Sequence, residues 1–367
     1  MTKTTRTSLA AVAAVALAAG VAACGSSSSN SSSSGGGSSS SGGASGTVNG
    51  AGSTFAAPVY QQWGSDLKGQ GITVNFQPVG SGAGVAALAA GTAAFAGSDP
   101  ALAPEDRATL KKGPVVQIPM FFGAITVSYN ESGAPKNLKL DGPTIANIFL
   151  GKIRKWNDPA IAKLNPGASL PGDDIQIVHR SDESGTTKGF TTYLSDVSSE
   201  WKSKVGADKT VKWPTGSGAK GNDGVAASIK QTSGSIGYVE QAYALQNGFT
   251  YATIKNSAGN FVPPTLDSTS AAGDGLKIPS DLGVSTINAP GAQAYPITSQ
   301  TFIDVYKDPC KAGVSKGDAQ ALKAFLDYGL GTAQGTLSKL YFAKLPSALL
   351  AKSKAAEATL TCNGSAL

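Results

Sequence analysis

Apolar residues from Thr47 onward recur at two different spacings, and each change of spacing marks an element. Phe55, Val59, Trp63 and Leu67 fall every fourth position with Tyr60 beside them, which predicts an amphipathic helix. Ser53 or Thr54 is placed to cap it, and Pro58 comes early enough to sit in its first turn. Residues 72–76 alternate as a strand. Gly80-Ser81-Gly82-Ala83-Gly84 then turns into a short helix carrying Val85, Leu88 and Ala89, stopped at Gly91. A further strand over 93–97 ends at Ser98-Asp99-Pro100, and 104–112 reads as a helix. The runs 115–118 and 124–129 are apolar and strand-like, with Phe121-Phe122-Gly123 between them as a long connection that could carry the chain from one domain into another.

Beyond this point Leu140-Asp141-Gly142-Pro143 opens a helix through Ile145, Ile148 and Phe149, and 151–159 forms a turn with Trp156 packed on the domain. A strand over 175–178 leads through His179 to Thr187 into a helix bearing Phe190, Tyr193 and Leu194. Trp201 and Trp213 are core plugs in a polar, turn-rich stretch. Gly221-Asn222-Asp223-Gly224 precedes a helix through Val225, Ala226 and Ile229. Residues 234–239 are a turn into a strand that runs into a helix over 240–245, and 256–275 is a polar loop. A strand over 302–306, a helix over 319–330 and a helical pattern over 336–350 complete the chain. Strands alternating with helices predict an α/β fold with parallel or mixed sheets.

Composition adds a compartment to this picture. Lys3 and Arg6 precede an apolar run of about a dozen residues, too short to span a bilayer, which ends Val21-Ala22-Ala23-Cys24-Gly25. Small residues before that Cys resemble the lipobox of bacterial lipoproteins, which implies cleavage before Cys24 and lipidation of its sulfur. Residues 25–46 contain only Gly, Ser, Asn and Ala, a composition with no apolar surface to bury and that of a tether. In an exported chain the remaining cysteines, Cys310 and Cys362, are candidates for a disulfide. The net charge of +6 falls to about +4 once Lys3 and Arg6 leave, with lysines scattered rather than clustered among aromatics, so nucleic-acid binding is not indicated.

The chemistry concentrates at His179-Arg180-Ser181-Asp182-Glu183-Ser184-Gly185-Thr186-Thr187. A strand turning through Ser-Gly-Thr into a helix offers backbone N–H groups and hydroxyls at a positive dipole end. Arg180 adds a planar cation suited to an oxyanion, and Asp182 is near enough to hold it. A capped helix with a surface ion pair explains the same residues, and this stretch alone does not decide between the two. The glycine string at 80–84 lacks the spacing and the acidic residue of a dinucleotide site. The single His and the absence of metal-spaced Cys/His sets count against an exported phosphatase using Arg180 and Ser184, with His179 as the base for Ser184.

Taken together, Gly50 to Phe55 with Pro58-Val59-Tyr60 and Trp63, Gly80-Ser81-Gly82, Ser98-Asp99, Gly151-Lys152-Ile153 with Lys155-Trp156, Arg180 to Thr186, and Gly234 to Glu240 resemble the PstS-type phosphate-binding proteins of bacterial ABC transporters. The resemblance runs from Gly50 to about Tyr306. It implies an α/β, two-domain fold of the periplasmic type II class, with a hinge and a ligand cleft between domains. Domain I would comprise 47–122 plus 292–367 and domain II 123–291, after a signal peptide over 1–23 and a lipidated tether over 24–46. Carried over residue by residue, the phosphate-binding set is Thr54, Phe55, Ser81, Asp99, Arg180, Ser184, Gly185 and Thr186, with Asp182 supporting Arg180. Phe55 serves by its backbone N–H. Asp99 requires a protonated oxyanion, which favours phosphate over sulfate. The implied partners are inorganic phosphate, the permease subunits of the importer and the membrane through Cys24, for a monomer without cofactor or metal. Receptors for another oxyanion and phosphate sensors remain alternatives.

Overall fold

A computed structural model describes residues 44–367. The leader, Cys24 and all of the Gly/Ser tract but its last three residues lie outside the described residues, as does the lipidation expected there. Strands β1 (Gly46–Gly52), β2 (Ile72–Pro78) and β3 (Phe95–Ser98) pair in parallel, with β1 in the middle. The helices that follow β1 and β2 are α1 (Ala57–Leu67) and α2 (Ser81–Ala90). After β3 come α3 (Pro104–Thr109), three residues shorter than expected, and the 16-residue strand β4 (Val115–Asn130).

The second half of the sheet holds β5 (Gln176–Arg180), β6 (Ser217–Ala219) and β7 (Ser235–Glu240), and the chain returns through β8 (Thr298–Tyr306). The spatial order is β2-β1-β3-β8-β4-β7-β5-β6. Strand β4 is antiparallel to β8 over 115–124 and to β7 over 125–130, so it changes partner at Ala124/Ile125. The sheet is therefore mixed, as the alternation of elements predicts.

Three expectations need correction. The two apolar runs around Phe121-Phe122-Gly123 are one uninterrupted strand, because β8 pairs along one edge while the Phe122 backbone exchanges hydrogen bonds with Ala343 along the other. The stretch 256–275 is not all loop: it contains the strand Phe261–Val262 and the helix Leu266–Ala271. Thr265 caps that helix against Ser268, a polar signal that apolar spacing does not report. The pattern over 336–350 is broken into a 3₁₀ turn, Leu337–Leu340, and a helix starting at Ser347, since Tyr341 at φ +67° ends the turn and Pro346 is the residue that precedes the helix as its N-cap.

The apolar row of α1 is buried as its spacing requires. Val59, Tyr60, Trp63 and Leu67 lie against the sheet, and Tyr60 makes edge contacts with Phe76, Phe95, Phe121 and Phe325 at ring separations of 5.0 to 6.0 Å. Truncating an anchor such as Trp63 would cost about 3–5 kcal/mol. Trp156 and Trp201 are fully buried, with indole N–H groups donating to the Gly234 and Gly206 carbonyls. Cys310 and Cys362 are disulfide-bonded with Cα atoms 5.0 Å apart, tying the segment after β8 to the C-terminal hairpin.

Candidate functional site

Parallel pairing brings the C-terminal ends of β1, β2 and β3 to one edge of the sheet. At the end of β1, Gly52 has φ +142° and a Cβ there would stand 2.1 Å from the Gly97 carbonyl, so glycine alone permits this approach. Ser53 and Thr54 follow, but neither is the N-cap of α1. That role falls to Ala56, two residues beyond the expected start. Ser53 Oγ accepts from the Ala56 N–H (3.2 Å) and donates to Asp99 Oδ1 (2.5 Å), while Thr54 Oγ1 is taken up by Asn222. Their side chains serve the edge of the sheet rather than the helix. The Phe55 ring is turned into the core, 5.8 Å from Phe342.

Asp99 stands at the end of β3, only 4% exposed. Its Oδ1 receives hydrogen bonds from Ser53 and from Thr301 (3.2 Å), and its N–H donates to Ser81 Oγ (3.4 Å). Burial pushes the carboxyl up to about 6, against the pull of those hydroxyls and of the Arg180 charge. Ser81 opens α2, and its Oγ also accepts from the Gly185 N–H (3.2 Å).

From the other half of the sheet, β5 ends in Arg180, whose guanidinium is buried and held from both ends by Asp182: Nε to Oδ1 at 2.7 Å and a terminal nitrogen to Oδ2 at 2.5 Å. Burial would raise the Asp182 carboxyl, but the hydrogen bonds and charge of Arg180 outweigh it and hold that carboxyl below its ordinary value. Ser184 caps helix α4 (Gly185–Val197) by accepting from the Thr187 N–H (3.1 Å), with Gly185 and Thr186 in the first turn. A methyl built on Gly185 would meet Asp99 Oδ2 at 2.4 Å and Ser81 Oγ at 2.6 Å.

Bonds across the gap join these groups. Asn222, near the start of helix α5 (Gly221–Gln231), bonds both Thr54 and Thr186; Tyr243 donates to the Thr54 carbonyl (2.7 Å); Gly82 N–H donates to the Glu183 carbonyl (3.2 Å). Lys209, 11% exposed at its side chain, reaches Asp106 at 2.5 Å and Glu183 at 3.1 Å. Thr54 and Thr186 are thus joined through Asn222, with Arg180 bonded to Thr186, and Asp99 and Gly185 are joined through the Ser81 hydroxyl. These two hydrogen-bonded groups meet in the chain at Gly185-Thr186 and form one set, with Ser184 at its edge as the helix cap. The arrangement presents hydroxyl and amide donors around a single tethered cation, chemistry suited to an oxyanion. A cavity of about 230 Å³ adjoins the set, sharing only Asp99 and Gly185 with it.

A Ser–His pair is not formed. His179 Nδ1 faces the Arg180 carbonyl (2.9 Å) and its ring stacks on Trp213 at 4.7 Å, while Ser184 is occupied as a cap. Among the described residues no three His, Cys, Asp or Glu side chains are grouped to hold a metal. Three contributors carry no local signal of their role: Ser53 reads as an alternative cap, Thr301 precedes the expected start of its strand, and Asn222 reads as part of a helix-opening turn.

Comparison with known proteins agrees with this architecture. Residues 37–332 match the family model described as a PBP superfamily domain. The chain is 43% identical over 314 residues to a protein of Pasteurella multocida named phosphate-binding protein PstS, covering 84% of this chain and 89% of that one. A protein of the same name from Xylella fastidiosa is 42% identical, with coverage of 83% and 82%. The solved structure of a human phosphate-binding apolipoprotein superposes with a TM-score of 0.70 at 20% identity, covering 84% of this chain and 93% of that one, a likeness of fold. With the two-domain periplasmic binding fold thus in place, the chain belongs to the PstS family of the PBP superfamily.

Proposed function

We propose that this protein is the extracytoplasmic receptor of a phosphate ABC importer, binding inorganic phosphate between two lobes and delivering it to the permease subunits. The observation that carries the reading is the pairing of hydroxyl and amide donors with one buried acceptor, Asp99. Thr54, the Phe55 N–H, Ser81, Arg180, Ser184, Gly185 and Thr186 supply donors to the phosphate oxygens, and Asp182 fixes Arg180. Asp99 accepts the proton that phosphate retains near neutral pH. Sulfate has no such proton and would set acceptor against acceptor, a mismatch worth several kcal/mol.

On this reading lobe I takes 47–122 and 292–367, lobe II takes 123–291, and the crossings lie near Ala124/Ile125 and before Thr298. The partner change of β4 supports that division. A lipid on Cys24 and the 24–46 tether would hold the monomer at the outer face of the membrane. Calorimetry after removal of endogenous ligand tests the function: tight phosphate binding with sulfate at least a hundredfold weaker is expected, and equal displacement by millimolar sulfate would overturn it.

A further inference from the structure

Asn222 is fully buried, and each of its polar atoms is committed. Its Oδ1 accepts from the Glu240 N–H at 2.9 Å, which fixes the amide orientation and turns both Nδ2 hydrogens toward the threonines. One reaches Thr54 Oγ1 at 2.9 Å and the other Thr186 Oγ1 at 3.1 Å. The Asn222 backbone N–H also donates to Thr54 Oγ1, at 3.1 Å, and Arg180 donates to Thr186 Oγ1 at 3.4 Å.

A hydroxyl has two acceptor lone pairs and one proton. Both lone pairs of Thr54 are filled by Asn222, and both of Thr186 by Asn222 and Arg180. Among the described residues no group accepts either hydroxyl proton. We infer that Asn222 is a positioning residue for the anion site: by occupying the acceptor sites of Thr54 and Thr186, it obliges both hydroxyls to act toward a bound anion only as donors.

The inference rests on the phosphate reading of the cleft and adds a role to a residue outside the set expected to touch the ligand. A threonine hydroxyl free to rotate can present its lone pairs to an anion and repel it, whereas one whose lone pairs are occupied cannot. The two threonines belong to different halves of the sheet, so Asn222 completes the arrangement only when the halves are together. An arrangement of obligate donors favours fully deprotonated oxygens everywhere except opposite Asp99.

The test is a double-mutant cycle on phosphate affinity by calorimetry. Asn222→Ala, Thr54→Val and Thr186→Val are each measured alone, and the two threonine variants are each combined with Asn222→Ala, after circular dichroism has shown each to be folded. Asn222→Ala is expected to weaken phosphate binding at least tenfold. The Asn222→Ala/Thr54→Val and Asn222→Ala/Thr186→Val doubles should fall at least fivefold short of the product of their singles. Asn222→Ser, which keeps one donor, should recover part of the loss, and it replaces the alanine variant in the cycle should that one not fold. Losses that multiply within twofold, or wild-type affinity in the Asn222 variant, would overturn the inference while leaving the phosphate site standing. Wild-type affinity in both threonine variants would instead remove the site, and this role with it.

Discussion

Replacing Asp99 by Asn keeps the side-chain shape and removes the buried charge, and the structure supplies the size of the effect. Burial moves the Asp99 carboxyl from 3.8 to about 6 in the unliganded protein. At about 1.4 kcal/mol per pH unit this is about 3 kcal/mol of cost for keeping Asp99 ionised. The sign follows from the direction. A carboxyl raised on folding contributes stability that is fully present below pH 3.8 and is lost as the pH rises through about 6. The wild-type apoprotein therefore carries the whole cost at pH 8 and almost none at pH 4. The substituted amide would keep an oxygen to accept from Ser53 and Thr301 and would have no charge to desolvate. Urea unfolding of stripped protein should find Asp99→Asn more stable than wild type by up to about 3 kcal/mol at pH 8, with the gap closing toward pH 4. Phosphate affinity should fall by a hundredfold or more in the same variant, while sulfate, now facing an amide donor, should gain. A variant less stable than wild type at pH 8, or one with unchanged preference between the anions, would refute the account of Asp99 as a strained acceptor held in reserve.

Other consequences are open to shorter tests. Gly185→Ala places a methyl 2.4 Å from Asp99 Oδ2; phosphate affinity should drop at least a hundredfold, and X-ray scattering should show no compaction on adding phosphate. Lys209→Met removes the ion pair with Asp106 across the gap, worth about 1 kcal/mol at a partly buried site; stopped-flow release of phosphate should accelerate about fivefold, and an unchanged off-rate would dismiss that pair as a latch. Cys310 and Cys362 are 52 residues apart, so chain-entropy arguments give their bridge about 4 kcal/mol. The Cys310→Ser/Cys362→Ser double variant should unfold at lower urea with unaltered calorimetric affinity, and coincident unfolding curves would contradict this.

The extent to which these features were legible in the sequence depended on how local their causes are. The row Phe55, Val59, Trp63 and Leu67 announced α1 because one face of one helix determines it, yet its start was misplaced: Ser53 bonds a carboxylate 46 positions away. Strand β4 was split at Phe121-Phe122-Gly123 because continuity came from partners on both edges, β8 and Ala343, which are remote in the chain. Thr301 lies in the polar stretch at the start of β8, where every residue is buried although few are apolar. No alternation signals such a strand. Asn222 illustrates the limit most clearly. A polar residue opening a helix satisfies a local rule on its own, and nothing in its neighbours shows that its amide reaches Thr54, 168 positions earlier.

The path of β4 also bears on how fast the protein can exchange its cargo. At the partner change the backbone is braced sideways, with Ile125 N–H donating to the Ile297 carbonyl (2.8 Å) and the Tyr295 hydroxyl to the Ile125 carbonyl (3.0 Å). On the two-lobe reading, the crossings form a short cross-linked ribbon instead of two independent loops. Such a ribbon resists stretching and sliding and yields readily only to torsion. On that reading it would act as a torsion bar, the cleft opening by a twist about the ribbon. Capture from dilute solution would then be quick to commit, and discharge would wait for an external grip on the lobes to hold the bar twisted.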